Sequence, residues 1–175
     1  MNIPEGYLNG EIRDGFYVES TMKKAWAAEI EVLNEVDRIC RQYDIQYFAD
    51  WGTLLGTIRH KGFVPWDDDM DITMKREDYT RFCQIVQQEQ GNLEIINFHT
   101  DPEWKDMLSR VINGRNVNYT QEHLKKYHGF PYVAGLDIFP LDYVAPTEDE
   151  DKIQCSMISI VEAFSANIRN NTATP

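Results

Sequence analysis

At 175 residues the chain is long enough for one domain with its own core and too short for two ordinary ones. Its apolar share of 42% and aromatic share of 12% are those of a globular protein and argue against wholesale disorder. A formal net charge of −12 argues against a general nucleic-acid binder, which needs Lys and Arg to neutralise phosphates. An anionic small substrate would need local positive charge, or a metal, to offset this field.

The cysteines Cys40, Cys83 and Cys155 lie far apart without a CxxC pair, so neither a disulfide frame nor a zinc site is expected, and Cys40 and Cys83 fall in helical patterns that suggest buried thiols. No segment approaches the apolar length of a membrane span, and the N-terminus lacks a basic stretch followed by an apolar run. The expected compartment is the cytoplasm, and the Asn-x-Thr sequons at Asn118 and Asn170 read as chance matches.

In chain order, residues 1–18 carry Pro4, Gly6, Gly10 and Gly15 and read as an irregular or partly extended lead-in. From Ser20 to Tyr43, apolar residues at helical spacing (Met22, Trp26, Val32, Leu33, Val36, Ile39, Cys40, Tyr43) predict an amphipathic helix with Ser20 as its N-cap. Ile45 to Ala49 predicts a strand, Leu54 to Arg59 a short helix, and Lys61 to Pro65 a loop. Asp69 to Met74 predicts a strand and Arg76 to Gln90 a second amphipathic helix. Leu93 to Phe98 is another predicted strand; Met107 to Ile112 and Asn116 to Thr120 form a predicted pair joined at Asn113-Gly114. Gln121 to Tyr127 is too short and polar to assign. Gly135 to Leu141 predicts an apolar strand holding a single acid, Asp137. Thr147 and Glu150 form a capping-box signature that opens a helix through about Ile168, ahead of a frayed tail from Asn170 to Pro175.

The chemistry concentrates between Asp50 and Met74. Successive strand side chains point to opposite faces, so Asp69 and Asp71 share one face while Met70 and Ile72 share the other. The two carboxylate positions lie roughly 6–7 Å apart along such a strand, close enough to converge on one hard cation. Asp67 and Asp68 read as a solvated acidic turn. Asp137 is an acid in an apolar strand, costly if buried without a hydrogen bond, a partner or a metal. Gly52 and Thr53 open a helix directly after a strand, where free backbone N–H groups suit phosphate. Arg59, His60 and Lys61 are candidate charges for phosphate oxygens, with ordinary surface basicity as the alternative. Tyr47, Trp51, Phe63 and Trp66 read mostly as core or loop anchors, with a minority role against a quaternary ammonium left open. No Ser-His-Asp or Cys-His arrangement is present in the pattern.

The run GTLLGTIRHKGFVPWDDDMDITMKREDY closely resembles the signature of the LicD family, and YVAGLDIFPLDYV resembles its later strand. The likeness is dense from Ile45 to Tyr79 and thinner to Tyr143, and it is far more specific than a lone Asp-x-Asp. It implies an α+β fold of nucleotidyltransferase type, a mixed β-sheet flanked by helices, as in bacterial phosphocholine transferases of cell-surface glycans and fukutin-type ribitol-phosphate transferases. By the resemblance, Gly52 and Thr53 match the phosphate-binding turn, Asp69 and Asp71 the paired metal ligands, and Asp137 the third carboxylate. Arg59, His60 and Trp66 join Gly52 and Thr53 as expected substrate-binding residues. The implied reaction moves a phosphocholine-like group from CDP-choline or a similar CDP-alcohol to a glycan hydroxyl, with Mg²⁺ (or Mn²⁺) as cofactor. A nucleotidyltransferase acting on a small hydroxyl compound, and an inactive binding domain of the same fold, are the alternatives. Family members usually continue further, so residues 1–175 are expected to be one domain of a short or truncated member.

Overall fold

Helix α1 (Ser20–Gln42) supplies much of the core. Its helical spacing places Trp26, Ala27, Ala28, Val32, Val36, Ile39 and Cys40 on one stripe, and all are buried. This is seen in a computed structural model that describes residues 1–89, 91 and 93–172. The helix matches the expected span, but its cap does not. Glu19 occupies the N-cap position without a side-chain cap bond, and the Ser20 hydroxyl instead donates to the Leu8 carbonyl at 2.7 Å.

The lead-in is more ordered than expected. Strands β1 (Glu11–Arg13) and β2 (Phe16–Val18) form an antiparallel hairpin. Its turn places Asp14 and Gly15 at φ 50° and 80°, the left-handed pair that Asp-Gly accommodates best. Lys23, buried on α1, ties the hairpin down through Glu11 at 2.5 Å and lies 4.0 Å above the Tyr7 ring.

The main sheet has the order β3-β4-β7-β6-β5. Its strands are β3 (Phe48–Ala49), β4 (Asp71–Lys75), β5 (Glu94–Ile96), β6 (Ser109–Ile112) and β7 (Gly135–Leu141). Only the β4–β7 pair is parallel, so the sheet is mixed and the fold is α+β. Strand β3 is shorter than the expected Ile45–Ala49. Its first residues are consumed in closing α1, where left-handed Asp44 lets the Ile45 N–H return to the Cys40 carbonyl at 2.9 Å. Asp69 falls two residues short of β4, because the last bond of the β7 ladder at this end is from the Asp137 N–H to the Met70 carbonyl.

The expected pairing of 107–112 with 116–120 does not form. Residues 116–120 are not a strand, and β6 pairs with β5 and β7. Asn113 is bonded through both its N–H and its side-chain oxygen to Ala134, which leads the chain into β7 rather than into a local hairpin. Thr120 caps α4 (Gln121–Lys126), the segment the sequence left unassigned. Helix α3 (Arg76–Gln88) ends near its expected limit, whose last residue, Gln90, lies outside the described residues. Helix α5 (Glu148–Thr172) opens with the expected capping box, Thr147 Oγ1 accepting from the Glu150 N–H at 3.3 Å. It continues past Ile168 into the segment expected to fray, and 173–175 lie outside the described residues.

Ile72, Val111, Leu136 and Ile138 from one face of the sheet join the α1 and α3 side chains in a single core. The other face carries Asp71, Asp137 and Arg110, with Phe139 against the ring of Trp51 at the start of α2 (Trp51–Arg59). Cys40 and Cys83 are buried free thiols, as expected. Among the described residues no helix is long and apolar enough to cross a membrane.

Candidate active site

The site is assembled where α2, the 63–70 loop and the start of β4 meet. Helix α2 begins a turn earlier than expected. Asp50 is its N-cap, and the Asp50 carboxylate accepts from the Trp51 N–H at 2.9 Å. Trp51 follows at φ 44°, a left-handed conformation unfavourable for a bulky residue and held here by the bonds around it. Two of these bonds fasten the helix start to β4: the Asp50 N–H donates to the Asp71 carbonyl at 3.2 Å, and the Asp71 N–H donates to Thr53 Oγ1 at 2.7 Å. Thr53 therefore fixes the position of Asp71 while its hydroxyl proton remains available to donate.

The acidic loop is held from beneath. Trp26 Nε1 donates to the Asp67 carbonyl at 2.8 Å, and the Trp26 ring stacks on Phe63 at 4.8 Å and 5°. The Asp67 carboxylate lies directly over Gly52, where an added Cβ would collide with it. Gly52 is thus a close-approach glycine, and its neighbour is an acid from this chain.

Five carboxylates and one buried partner face each other here. Asp67, Asp68 and Asp69 bring one oxygen each within 4.8 Å of one another. Asp71 and Asp137 are register partners in the parallel pair, and Arg110 is the register partner of Asp137 on β6. The result is a row of Asp71, Asp137 and Arg110 across three strands. Arg110 grips Asp137 with two bonds of 2.6 and 2.7 Å. Partial burial, then the charges of Asp69 and Asp137, push the Asp71 carboxyl up to about 6. Partial enclosure and the charge of Asp67 raise Asp69 as well. Glu29 of α1 is buried, its Oε2 has no hydrogen-bond partner, and desolvation followed by the charge of Asp69 pushes it up to about 9.

Two cavities meet at Asp69. One, of about 330 Å³, is walled by Gly52, Thr53 and Thr57 of α2, with Arg13, Lys61 and Asp67. The other, of about 310 Å³, is walled by Glu29, Asp68, Arg110 and Asp137. Asp69 lines both, with a helix start flanked by two cations in the first and Asp137 with Arg110 in the second.

Of the residues expected from the sequence, Gly52, Thr53, Asp69, Asp71 and Asp137 converge. Arg59, His60 and Trp66 form a separate group against the hairpin. His60 Nδ1 meets Asp14 at 2.6 Å, Arg59 Nε donates to His60 Nε2 at 2.8 Å, and Trp66 lies edge-on at 5.9 Å. None of the three lines either cavity, whereas Lys61 does. Sequence reasoning missed Glu29, Arg110 and the part played by Asp67 and Asp68. Strand alternation placed no constraint on Arg110, whose importance comes from lying opposite Asp137.

Residues 44–153 match the family model described as LicD/FKTN/FKRP, nucleotidyltransferase domain, which is more than half of the chain. The chain belongs to the LicD family. The matched stretch contains α2, the acidic loop, β4, Arg110 and Asp137; the hairpin and Glu29 precede it. The lipopolysaccharide cholinephosphotransferase LicD of Haemophilus influenzae is 42% identical over 69 residues, covering 39% of this chain and 26% of that protein. An uncharacterised protein of Rickettsia typhi is 38% identical over 58 residues, 33% of this chain and 19% of its own length. One from Rickettsia prowazekii is 36% identical over 58 residues, 33% and 22% respectively. The matches therefore span about a quarter or less of these relatives.

Proposed function

We propose that this LicD-family domain transfers phosphocholine from CDP-choline, or a similar CDP-alcohol, to a hydroxyl of a cell-surface glycan of lipopolysaccharide or teichoic acid type, in the cytoplasm. The similarity to a lipopolysaccharide cholinephosphotransferase supports the group transferred and the class of acceptor. The observation that carries the reading is Asp69 shared between the α2 cavity and the cavity lined by Asp137 and Arg110, with Asp71 in register beside Asp137.

Mg²⁺ or Mn²⁺ suits a site of oxygen donors only and crowded like charge, where partial burial and then the neighbouring carboxylates raise Asp69 and Asp71. Asp69, Asp71 and Asp137 are the proposed ligands. The metal would neutralise charge on the phosphate oxygens and hold the donor in line. The start of α2, through Gly52 and the Thr53 hydroxyl, orients the nucleotide-side phosphate, with Lys61 and Arg13 balancing its charge. Arg110 exchanges its hold on Asp137 for an oxygen of the transferring phosphate. The acceptor oxygen bonds to the choline-bearing phosphorus, the bond from that phosphorus to the CMP oxygen breaks, and the hydroxyl proton passes to a carboxylate of the row. Arg59, His60 and Trp66 remain proposed substrate contacts on the hairpin side of α2.

Phosphorus NMR of the purified chain with CDP-choline and Mg²⁺, beside Asp69→Asn and chelator controls, tests the proposal. Slow CMP release that needs both Asp69 and metal is the expected result, with water standing in for the acceptor. Release of pyrophosphate from a nucleoside triphosphate would favour a nucleotidyltransferase. Neither release nor metal-dependent binding of CDP-choline would overturn the reading.

A further inference from the structure

Helix α5 carries its apolar stripe on the outside. Ile153, Met157, Ile160 and Phe164 follow one another along the helix and stand between 56% and 67% exposed. At about 100° of turn per residue, they fall within an arc of roughly 60°. The other side of the helix fastens it to the domain. Gln154 Nε2 donates to the Tyr143 carbonyl at 3.2 Å, and Ser165 Oγ donates to the Lys105 carbonyl at 2.5 Å. Ser159, Glu162, Ala163 and Ala166 line a cavity of about 650 Å³ shared with Trp51 and Phe139. An ordinary surface helix turns its apolar stripe to the core and its polar side to water. Helix α5 does the reverse, so its stripe is built to meet something outside this chain's own core.

A lipid surface fits the stripe poorly. Helices that lie in a membrane interface are rich in Lys and Arg on the polar side. Among the described side chains of α5, Lys152 is the only base, against Glu148, Asp149, Glu150, Asp151 and Glu162. A second copy of the chain fits it well. A two-fold contact must be complementary to itself, residue i meeting j while j meets i. The steps from Ile153 to Met157, to Ile160 and to Phe164 read the same from either end of the helix. Two antiparallel copies therefore set Ile153 opposite Phe164 and Met157 opposite Ile160. Alternating steps of about 3 and 4 residues also form the seam of a left-handed helix pair. Charge selects the antiparallel sense. A parallel pair would hold the exposed Glu148 and Asp149 of both copies side by side. The antiparallel pair separates them and brings Glu148 level with position 169 of the other copy, an arginine.

We infer that α5 is a self-association surface, pairing antiparallel with α5 of a second copy of this chain through Ile153, Met157, Ile160 and Phe164. The helix has 25 residues, hence a length of about 37 Å and a width of about 10–12 Å. The contact covers roughly 400 Å² per copy, about half of a standard interface, so the pair is weak and forms at tens to hundreds of micromolar. It does not rest on the proposed transferase activity.

Sedimentation equilibrium of the full chain, from about 5 µM to about 1 mM, tests the pairing. Met157→Glu and Ile160→Glu place a charge in the seam at side chains that already stand in water, so both variants should fold; circular dichroism checks this. Cys155→Ser changes the opposite side of the helix and is the control. The expected result is a reversible monomer–dimer equilibrium, weakened at least tenfold in each Glu variant and unchanged in Cys155→Ser. On the Cys155→Ser background, chains carrying Ile153→Cys should be joined by a short bismaleimide to chains carrying Phe164→Cys, and neither to its own kind. A monomer throughout the range, or a dimer that survives both Glu variants, overturns the inference. Self-linking of each cysteine variant overturns the antiparallel pairing. Co-sedimentation of a monomer with phosphatidylcholine–phosphatidylglycerol vesicles, lost in the Glu variants, overturns it in favour of a lipid surface.

Discussion

Replacing Asp71 with Asn takes one charge out of a site where Asp69, Asp137, Asp67 and Asp50 all oppose it. The exchange leaves the local backbone bonds in place, because Asp71 is fixed through its N–H and carbonyl by Thr53 and Asp50. Its carboxyl stands at about 6 against an ordinary 3.8. That difference corresponds to about 3 kcal/mol, reduced to about 1 kcal/mol because water still screens a half-buried group. A raised acid contributes stability that is fully present below about pH 4 and lost as pH rises through about 6. Asn at this position escapes that loss. In chelator at pH 7.5, thermal unfolding of Asp71→Asn should therefore occur about 2–4 °C higher than for the unaltered chain, and the difference should vanish near pH 4. Adding Mg²⁺ should reverse the order by raising the melting temperature of the unaltered chain and barely that of the variant. A variant less stable than the parent in chelator at pH 7.5 would refute the argument, since it would mean that the carboxylate is satisfied without a cation.

Gly52→Ala sets a methyl against the Asp67 carboxylate and should destabilise by roughly 1–3 kcal/mol, despite the better helix propensity of Ala; urea titration reads this, and a stabilised variant would show that the loop yields freely. Thr53→Val removes the acceptor of the Asp71 amide at nearly constant shape and should cost about 1–3 kcal/mol, most of it restored by Thr53→Ser; equal stability of Val and Ser would show that the hydroxyl does not hold β4. Arg110→Gln frees Asp137 from its two-pronged partner. It should raise the KM for CDP-choline at least tenfold with a smaller change in Mg²⁺ affinity, measured by CMP release and calorimetry. An unchanged KM would place Arg110 outside donor binding.

Helix α1, helix α3, strand β7 and the capping box at Thr147 were all legible in the sequence, because each depends on residues within a few turns of one another. So was the clustering of aspartates after Pro65, and the run from Gly52 to Tyr79 carried the family resemblance. The readings that failed were those in which a local signal competed with a distant partner. Ser20 had the chemistry of a cap but bonded Leu8, Asn113-Gly114 had the chemistry of a hairpin turn but bonded Ala134, and Thr53, expected to open the helix, lies inside it and takes the Asp71 amide.

The amino-acid order alone determined which acids exist and that Asp69 and Asp71 could share a strand face. Tertiary structure decided what each acid faces. The register of β4, β7 and β6 sets Asp71 beside Asp137 and Asp137 beside Arg110, and a slip of one residue would turn any of them to the other face of the sheet. Burial on α1 brings Glu29 to the acids and lets Trp26 hold the Asp67 carbonyl across 41 residues of chain. Such pairings arise from packing and strand register, for which the spacing of neighbouring residues carries no signal.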